Sequence, residues 1–513
     1  MKKETTFTSQ DLKQIKALGL TKRDVEKQLA VYARGPGYLK LNRPCVPGDG
    51  ILSAGPAQRK KLVGQYETEA AHHKLLKFVP ASGAASRMFA QWFSAAERGS
   101  FGDSQSDRSF SRDLKKMPFL SLLEQDHKAR LLLKQKNISG LLNYILTEDG
   151  LHYGWLPKAL ISFHAYPDGE LRTALEEHLV EATSYIRDSQ GRCHLHMTLS
   201  EEHIKKVTAK LREVKNKYES RFQARVKVDH SIQLPSTNIL AVNEDLSPFR
   251  DNSGHLVFRP GGHGALLENL GSLDADFIFV KNIDNIVPEN YLKKILPYKK
   301  MLGGLALNIQ KRVFSQLRDL EKNRVTEEKM DACAQFCRET LKIVFAPDFE
   351  KMTPAQKKKK IISLLDRPLR ICGMVRNEGE PGGGPFWVEE KDGTQTLQIV
   401  ESAHVNPKDS GQQAIWQEAR YFNPVDMVCC IKNYRGQKFD LKKFVDNDAY
   451  LISAKTDKGR KLLAQELPGL WNGSMAYWNT VFVELPIAVF NPVKTVCDLL
   501  RPQHTAGRKK RSK

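Results

Sequence analysis

Short apolar runs that break into a small-residue loop and then a helix recur along this chain, and they restrict its fold more than any other feature. Leu76-Lys77-Phe78-Val79-Pro80 reads as a strand, Ala81-Ser82-Gly83-Ala84-Ala85-Ser86-Arg87 as the loop, and a helix follows. Comparable units lie around residues 158–186, 193–216 and 276–297. Strands alternating with helices predict an α/β fold, a mostly parallel sheet covered on both faces. Residues 277–280, Phe-Ile-Phe-Val, are apolar throughout, as a central parallel strand is. Such sheets bind ligands in the crevice outside the C-terminal ends of their strands.

The 513 residues exceed one ordinary core and suit two or three domains. Residues 8–35 read as two short helices, with Ser9 capping the first and Thr21 with Asp24 forming a capping box for the second. Residues 36–55 read as a Pro/Gly-rich loop, followed by a helical stretch to about His73. Residues 90–155 and 300–365 read as helical insertions, and strands with glycine-rich turns come after residue 370. The expected division is a helical extension (1–73), a core (74–410) and a C-terminal region with a basic tail (411–513).

Lys and Arg exceed Asp and Glu by 80 to 59, a net charge of +21. Nucleic acid, an acidic membrane surface or small phosphorylated ligands would each suit that excess. Its two local peaks, Lys357 to Lys360 and residues 508–513, read as a solvated helix end and a frayed tail, so no nucleic-acid partner is expected. No apolar run reaches the roughly 18 residues of a membrane span. The N-terminus lacks the apolar core of a signal peptide, and the eight scattered cysteines fit a reducing compartment. A cytoplasmic location is the expectation.

Three motifs carry chemistry. In the loop from Ser82 to Arg87, small residues let backbone N–H groups approach a phosphate, the following helix adds its positive end, and Arg87 adds a fixed cation. In Leu156-Pro157-Lys158-Ala159-Leu160-Ile161 a lysine stands just before an apolar strand. Phe258-Arg259-Pro260-Gly261-Gly262-His263-Gly264 precedes the strand at 277, whose end releases Asn282, Asp284 and Asn285. An aspartate there is placed to hold Mg²⁺ between phosphate oxygens. Cys193-His194-Leu195-His196 puts two imidazoles on one strand face and reads as a surface or core pair. Trp471 and Trp478 read as packing, and Arg172 to His178 as the start of an amphipathic cover helix.

Together these motifs resemble the sugar nucleotidyltransferases of Rossmann-like GT-A type. Those carry G-G-x-G-T-R followed by P-K-P-L-I, where this chain has Ser82-Gly83-Ala84-Ala85-Ser86-Arg87 and Pro157-Lys158-Ala159-Leu160-Ile161. The glycine turn and strand end resemble the P-P-G-H-G-D and N-x-D-N of UDP-glucose pyrophosphorylases. Gln233-Leu234-Pro235, Gly382-Gly383-Gly384, Leu397 to Val405 around Glu401, Tyr421 to Asp426 around Asn423, and Phe490 to Leu500 around Lys494 continue the likeness in order. The pattern is that of a divergent, bacterial-looking UDP-sugar pyrophosphorylase-like chain of the kind grouped as the uncharacterised DUF4301 family. The likeness implies Arg87, Lys158 and Lys494 on phosphates and Asp284 on Mg²⁺. It implies Ser82, Gly83, Ala84, Gln233, Gly261, Gly262, His263 and Gly264 on the nucleotide, and Gly383, Glu401 and Asn423 on the sugar. The implied reaction joins a nucleoside triphosphate, by preference UTP, to a sugar 1-phosphate with release of pyrophosphate. Two departures stand out: Ala and Ser replace loop glycines, and the insertion at 90–155 is long. The first keeps open a catalytically silent nucleotide-sugar-binding protein. The family's β-helical domain has no counterpart in the thirteen residues after Leu500, so an oligomer built through it is not expected.

Overall fold

A computed structural model of the chain describes residues 7–83, 85–322 and 325–505. The fold is α/β, with a mostly parallel central sheet, and divides into two compact units. Unit 1 gathers Met1–Leu62, Gln233–Ile278 and Leu302–Pro486, and unit 2 gathers Val63–Ile232, Phe279–Met301 and Ile487–Lys513. The units interleave along the chain, whereas the sequence suggested three consecutive stretches. Parallel strands require crossover connections, so one sheet can draw its strands from distant segments.

In unit 2 the strands run in the order Phe277–Lys281 (its C-terminal half), Leu75–Pro80, Arg192–Leu199, Arg225–Ile232. The last three pair in parallel. Leu75 to Val79 are all buried, Lys77 among them. Helix Ala174–Tyr185 is buried on nearly every side, not only on one face as an amphipathic cover helix would be. The stretch 90–155 is helical as read, from Ala90–Arg98 to Ile138–Leu146, with Asp103, Asp126 and Asn137 accepting N–H groups as N-caps. Its core is aromatic, with Trp92 edge-on to Phe110 and Phe119 edge-on to Tyr153.

One expected strand–loop–helix unit has a different form. Lys158–Leu160 is a single 3-10 turn, and Ser162–Ala165 pairs with Leu171–Thr173 as a small antiparallel hairpin before the helix. Pro167-Asp168-Gly169 explains it, because Gly169 sits at φ +89, where glycine closes a tight turn without strain.

In unit 1 the strands run Val46–Pro47, Gly50–Leu52, Asn479–Glu484, Leu369–Arg376, Asp426–Cys430. Only the last pairing is antiparallel. A separate antiparallel sheet joins Lys40–Pro44, Gly384–Glu389 and Gln395–Val400. Residues 36–55, read as a loop, therefore hold three short strands. Lys40–Pro44 and Gly50–Leu52 pair with strands hundreds of residues away, which no local pattern reveals, and Val46–Pro47 pairs with Gly50–Leu52. The first helix is capped by Thr8 rather than Ser9, in a capping box with Asp11, and Thr21 with Asp24 forms the second box as read. The 300–365 stretch is helical, and the basic run in Pro354–Leu365 is partly paired, Lys357 with Glu350 and Lys360 with Asp392. The tail at 508–513 lies outside the described residues.

Candidate functional site

Strand Leu75–Pro80 ends in a loop held at both sides by main-chain bonds. The Ala81 N–H donates to the Thr198 carbonyl (3.1 Å), Ser200 Oγ to the Ser82 carbonyl (2.7 Å), and the Ala85 N–H to the Leu156 carbonyl (3.0 Å). Between these ties Gly83 faces solvent, and a Cβ built on it would meet nothing within 4 Å. The protein's own packing does not demand that glycine. Ala84 lies outside the described residues. Arg87 ends the 3-10 turn Ala85–Arg87 and is exposed.

Strand Phe277–Lys281 is buried end to end and releases Asp284 through a turn closed by the Asn285 N–H on the Asn282 carbonyl (3.1 Å). Asp284 is 8% exposed. Its Oδ2 accepts from Lys158 Nζ at 3.0 Å and Lys494 Nζ at 3.4 Å, while Oδ1 is buried with no hydrogen-bond partner among the described residues. Lys158 Nζ also donates to the Val493 carbonyl (2.9 Å). The Val493 N–H returns a bond to the Asp284 carbonyl (3.0 Å), and the Asn491 N–H donates to Asn285 Oδ1 (2.9 Å). The Lys494 and Thr495 N–H groups both donate to Asp498 Oδ2 (2.9 and 2.7 Å), which fixes the backbone and leaves the Lys494 side chain 59% exposed.

These residues line one cleft of about 370 Å³, formed by Pro80, Gly83, Arg87, Lys158, Asn282, Ile283, Asp284 and Lys494. Three cations face one carboxylate, an arrangement suited to a polyphosphate anion. Segments hundreds of residues apart thus bring together the loop, both lysines and the aspartate. A larger groove of about 540 Å³ in the same unit, at Glu170, Lys210, Lys217 and Arg221, holds charges that already pair with one another. His164, in the hairpin, is buried against Glu177 (2.9 Å).

Unit 1 carries the remaining expected residues. The turn Gly262–Ala265 packs on the segment that follows strand Arg460–Glu466. Cβ atoms at Gly261, Gly262 and Gly264 would stand 2.5 Å from the Thr237 carbonyl oxygen, 2.7 Å from Glu466 Oε2 and 2.2 Å from the Pro468 carbonyl oxygen. Gly262 also sits at φ +71. Close backbone oxygens account for Gly261 and Gly264, and the left-handed φ for Gly262. His263 Nδ1 accepts from the Leu470 N–H (3.0 Å), and its ring stacks on Trp471 with centroids 4.4 Å apart. Its Nε2, which then carries the proton, stands 3.9 Å from Glu401 Oε1, and burial pulls the imidazole below its usual range. Asn472 Nδ2 donates to the same Glu401 oxygen at 2.7 Å. Gly383 and Asn423 meet through the Asn423 N–H on the Gly383 carbonyl (2.9 Å), while Gln233 Nε2 donates to Thr237 Oγ1 (3.3 Å).

Trp471 packs as its sequence suggests, here on His263, while nothing in the motifs singled out Asn472. The signal available was the bracket Gly469-Leu470-Trp471-Asn472-Gly473, in which small residues hold a polar and an aromatic side chain in a tight turn. His194 and His196 pair with Asp229 and Ser231 (2.8 Å each), and no cluster of three metal-ligating side chains occurs among the described residues. No helix among the described residues is long and apolar enough to cross a membrane.

The model of a family described as a domain of unknown function, DUF4301, matches residues 8–505. No curated protein matches the sequence. Among solved structures the chain is similar to the UDP-glucose pyrophosphorylase of Leishmania major, at 13% identity and a TM-score of 0.44 over 98% of this chain and 80% of that one. It is also similar to a UDP-glucose phosphorylase of Trypanosoma brucei (14%, 0.43, 96% and 77%). A third is the uridine diphosphate N-acetylglucosamine pyrophosphorylase of Trypanosoma brucei (10%, 0.45, 96% and 82%).

Proposed function

Because the chain belongs to the DUF4301 family, whose description assigns no activity, we propose a function from its own residues: it transfers a nucleotidyl group, by preference uridylyl, onto a sugar 1-phosphate. The observation that carries this reading is the convergence of Gly83, Arg87, Lys158, Asp284 and Lys494 on one cleft. A sugar-phosphate oxygen attacks the α-phosphorus in line, the α–β bridging P–O bond breaks, and the electron pair leaves with pyrophosphate. Catalysis of this kind needs positioning and charge stabilisation rather than a nucleophilic side chain. Lys158 and Lys494 are the groups assigned to the charge that builds on the leaving pyrophosphate, with Arg87 and the exposed Gly83 backbone cradling it.

Mg²⁺ fits the donor set. The buried Asp284 Oδ1, without a hydrogen-bond partner among the described residues, is a hard oxygen ligand, and Mg²⁺ is commonly held by one or two carboxylates plus substrate phosphates and water. When bound it would neutralise phosphate charge. The uracil contacts are assigned to Gln233 and the Gly261–Gly264 turn, and the sugar contacts to Gly383, Glu401 and Asn423, on the resemblance of their motifs. The test is a screen of nucleoside triphosphates against sugar 1-phosphates with pyrophosphate release as the readout. Asp284→Asn should lower turnover at least a hundredfold without a change in fold by circular dichroism. Nucleotide-sugar binding without turnover for any pair would replace the enzyme by a binding protein. Salt-sensitive binding to DNA in preference to free nucleotide would overturn both.

A further inference from the structure

Asp284 owes its place to a corner that the strand alone does not fix. Lys281 is the last residue of the strand, and the aspartate follows three residues later. Two side chains one turn apart on helix Ala174–Tyr185 hold this corner. Glu181 accepts the Lys281 ammonium through both oxygens (3.0 and 2.9 Å), and His178 Nε2 donates to the Ile283 carbonyl (3.1 Å). His178, Glu181 and Lys281 are all buried. Lys77, on the neighbouring strand, adds a second ammonium 3.3 Å from Glu181 and donates to the His178 main-chain carbonyl (3.3 Å).

One interior carboxylate thus serves two ammoniums, and the charge of the buried Lys299 acts on it as well. Burying each ion is costly, and apolar residues of similar volume commonly stabilise a fold as well or better. Burial, with the neighbouring Lys281 and Lys299 charges, lowers Lys77 to about 7 against the pull of Glu181. Burial works to raise the Glu181 carboxyl, but Lys281 and Lys77 hold it below the usual range. Burial, helped by the nearby Lys77 charge, keeps the His178 ring neutral, so its single N–H is committed to Ile283. A network so costly that ends on the chain segment carrying a cleft carboxylate has its use in geometry. Residues behind a metal ligand orient it, and their loss typically costs 10–100-fold in metal affinity.

We infer that His178 and Glu181 are positioning residues for Asp284: helix Ala174–Tyr185 clamps the Lys281–Ile283 corner so that the carboxylate meets a cation on incoming phosphates. The inference rests on the phosphate-cleft reading of the proposed function. The test is calorimetry of the full chain with inorganic pyrophosphate, with and without Mg²⁺. His178→Leu keeps volume but lacks a donor, whereas His178→Gln keeps an N–H that reaches the same carbonyl. The Leu variant should lose at least tenfold in Mg²⁺-dependent pyrophosphate affinity, and the Gln variant should stay within about threefold of the parent. Binding without Mg²⁺, which uses Arg87, Lys158 and Lys494, should be unchanged in both. If the Leu variant does not fold, Glu181→Gln carries the same expectation of a tenfold loss. A Leu variant that binds like the parent, or one that loses metal-free binding equally, overturns the positioning role. A parent chain that binds no pyrophosphate with Mg²⁺ overturns the proposed function and this inference together.

Discussion

One ammonium, that of Lys158, ties Asp284 to the carbonyl of Val493, and any cation that uses the aspartate must compete with it. Lys158→Met should therefore raise the affinity for Mg²⁺ alone about tenfold, roughly 1.4 kcal/mol, while lowering turnover by orders of magnitude. Calorimetry with MgCl₂ and the pyrophosphate assay check the two halves. Unchanged Mg²⁺ affinity would mean that the pair does not guard the carboxylate. The glycines divide in a way that decides which substitution is informative. Gly262→Val drives a Cβ into Glu466 from a strained backbone, so lost nucleotide binding would follow from a broken turn as readily as from a lost contact. At Gly83 a side chain meets open space, so Gly83→Val should leave the melting temperature within about 1 °C and still weaken pyrophosphate binding. Equal affinity in parent and variant would remove the loop from the ligand. Residue types at motif positions were legible in the sequence. What their neighbours demand of them was not, because Glu466 and Pro468 lie some two hundred residues beyond the turn they support.

The elements most legible from sequence were those whose signal is local. The buried strands Leu75–Pro80 and Phe277–Lys281 announce themselves by apolar runs, the first interrupted by Lys77, and the second helix by its Thr21 box. Strands Lys40–Pro44 and Gly50–Leu52 escaped because pairing with Gly384–Glu389 and Asn479–Glu484, not their composition, makes them strands. The first helix shows both kinds of cause. Its Thr8–Asp11 box is local, while Asp11 also receives two bonds of 2.8 Å from Arg250. The Arg250 guanidinium lowers the Asp11 carboxyl from 3.8 to about 2, against the opposing effect of burial. A carboxyl lowered on folding stabilises the native state above its unfolded value, and that contribution disappears as pH falls through the folded one. Asp11→Asn should thus destabilise unit 1 by about 1.5–3 kcal/mol near neutrality. The gap should be constant above about pH 5 and close toward pH 2. Urea unfolding at several pH values measures it, and a gap that widens with acid would contradict the pairing.

At the scale of the molecule, each unit is assembled from three separated segments. The third segment of unit 2 adds little mass, yet it supplies Lys494 together with the Val493 and Asn491 bonds around Asp284 and Asn285. Its Val496 N–H also donates to the Met88 carbonyl (3.1 Å), next to the Ser82–Arg87 loop. Deleting residues 487–513 should leave unit 2 without a cooperative thermal transition and abolish pyrophosphate binding. A truncated chain that melts like the parent would show that the segment only decorates the unit. The same threading sets an order in time. Lys494 follows Asp284 by 210 residues, so at synthesis rates of about 5–20 residues per second the carboxylate waits roughly 10–40 s for its second lysine. Throughout that interval a nascent chain presents the Ser82–Arg87 loop and Asp284 without Val493 or Lys494. On the proposed reading, the cleft therefore gains its full set of cations only once Lys494 has been made.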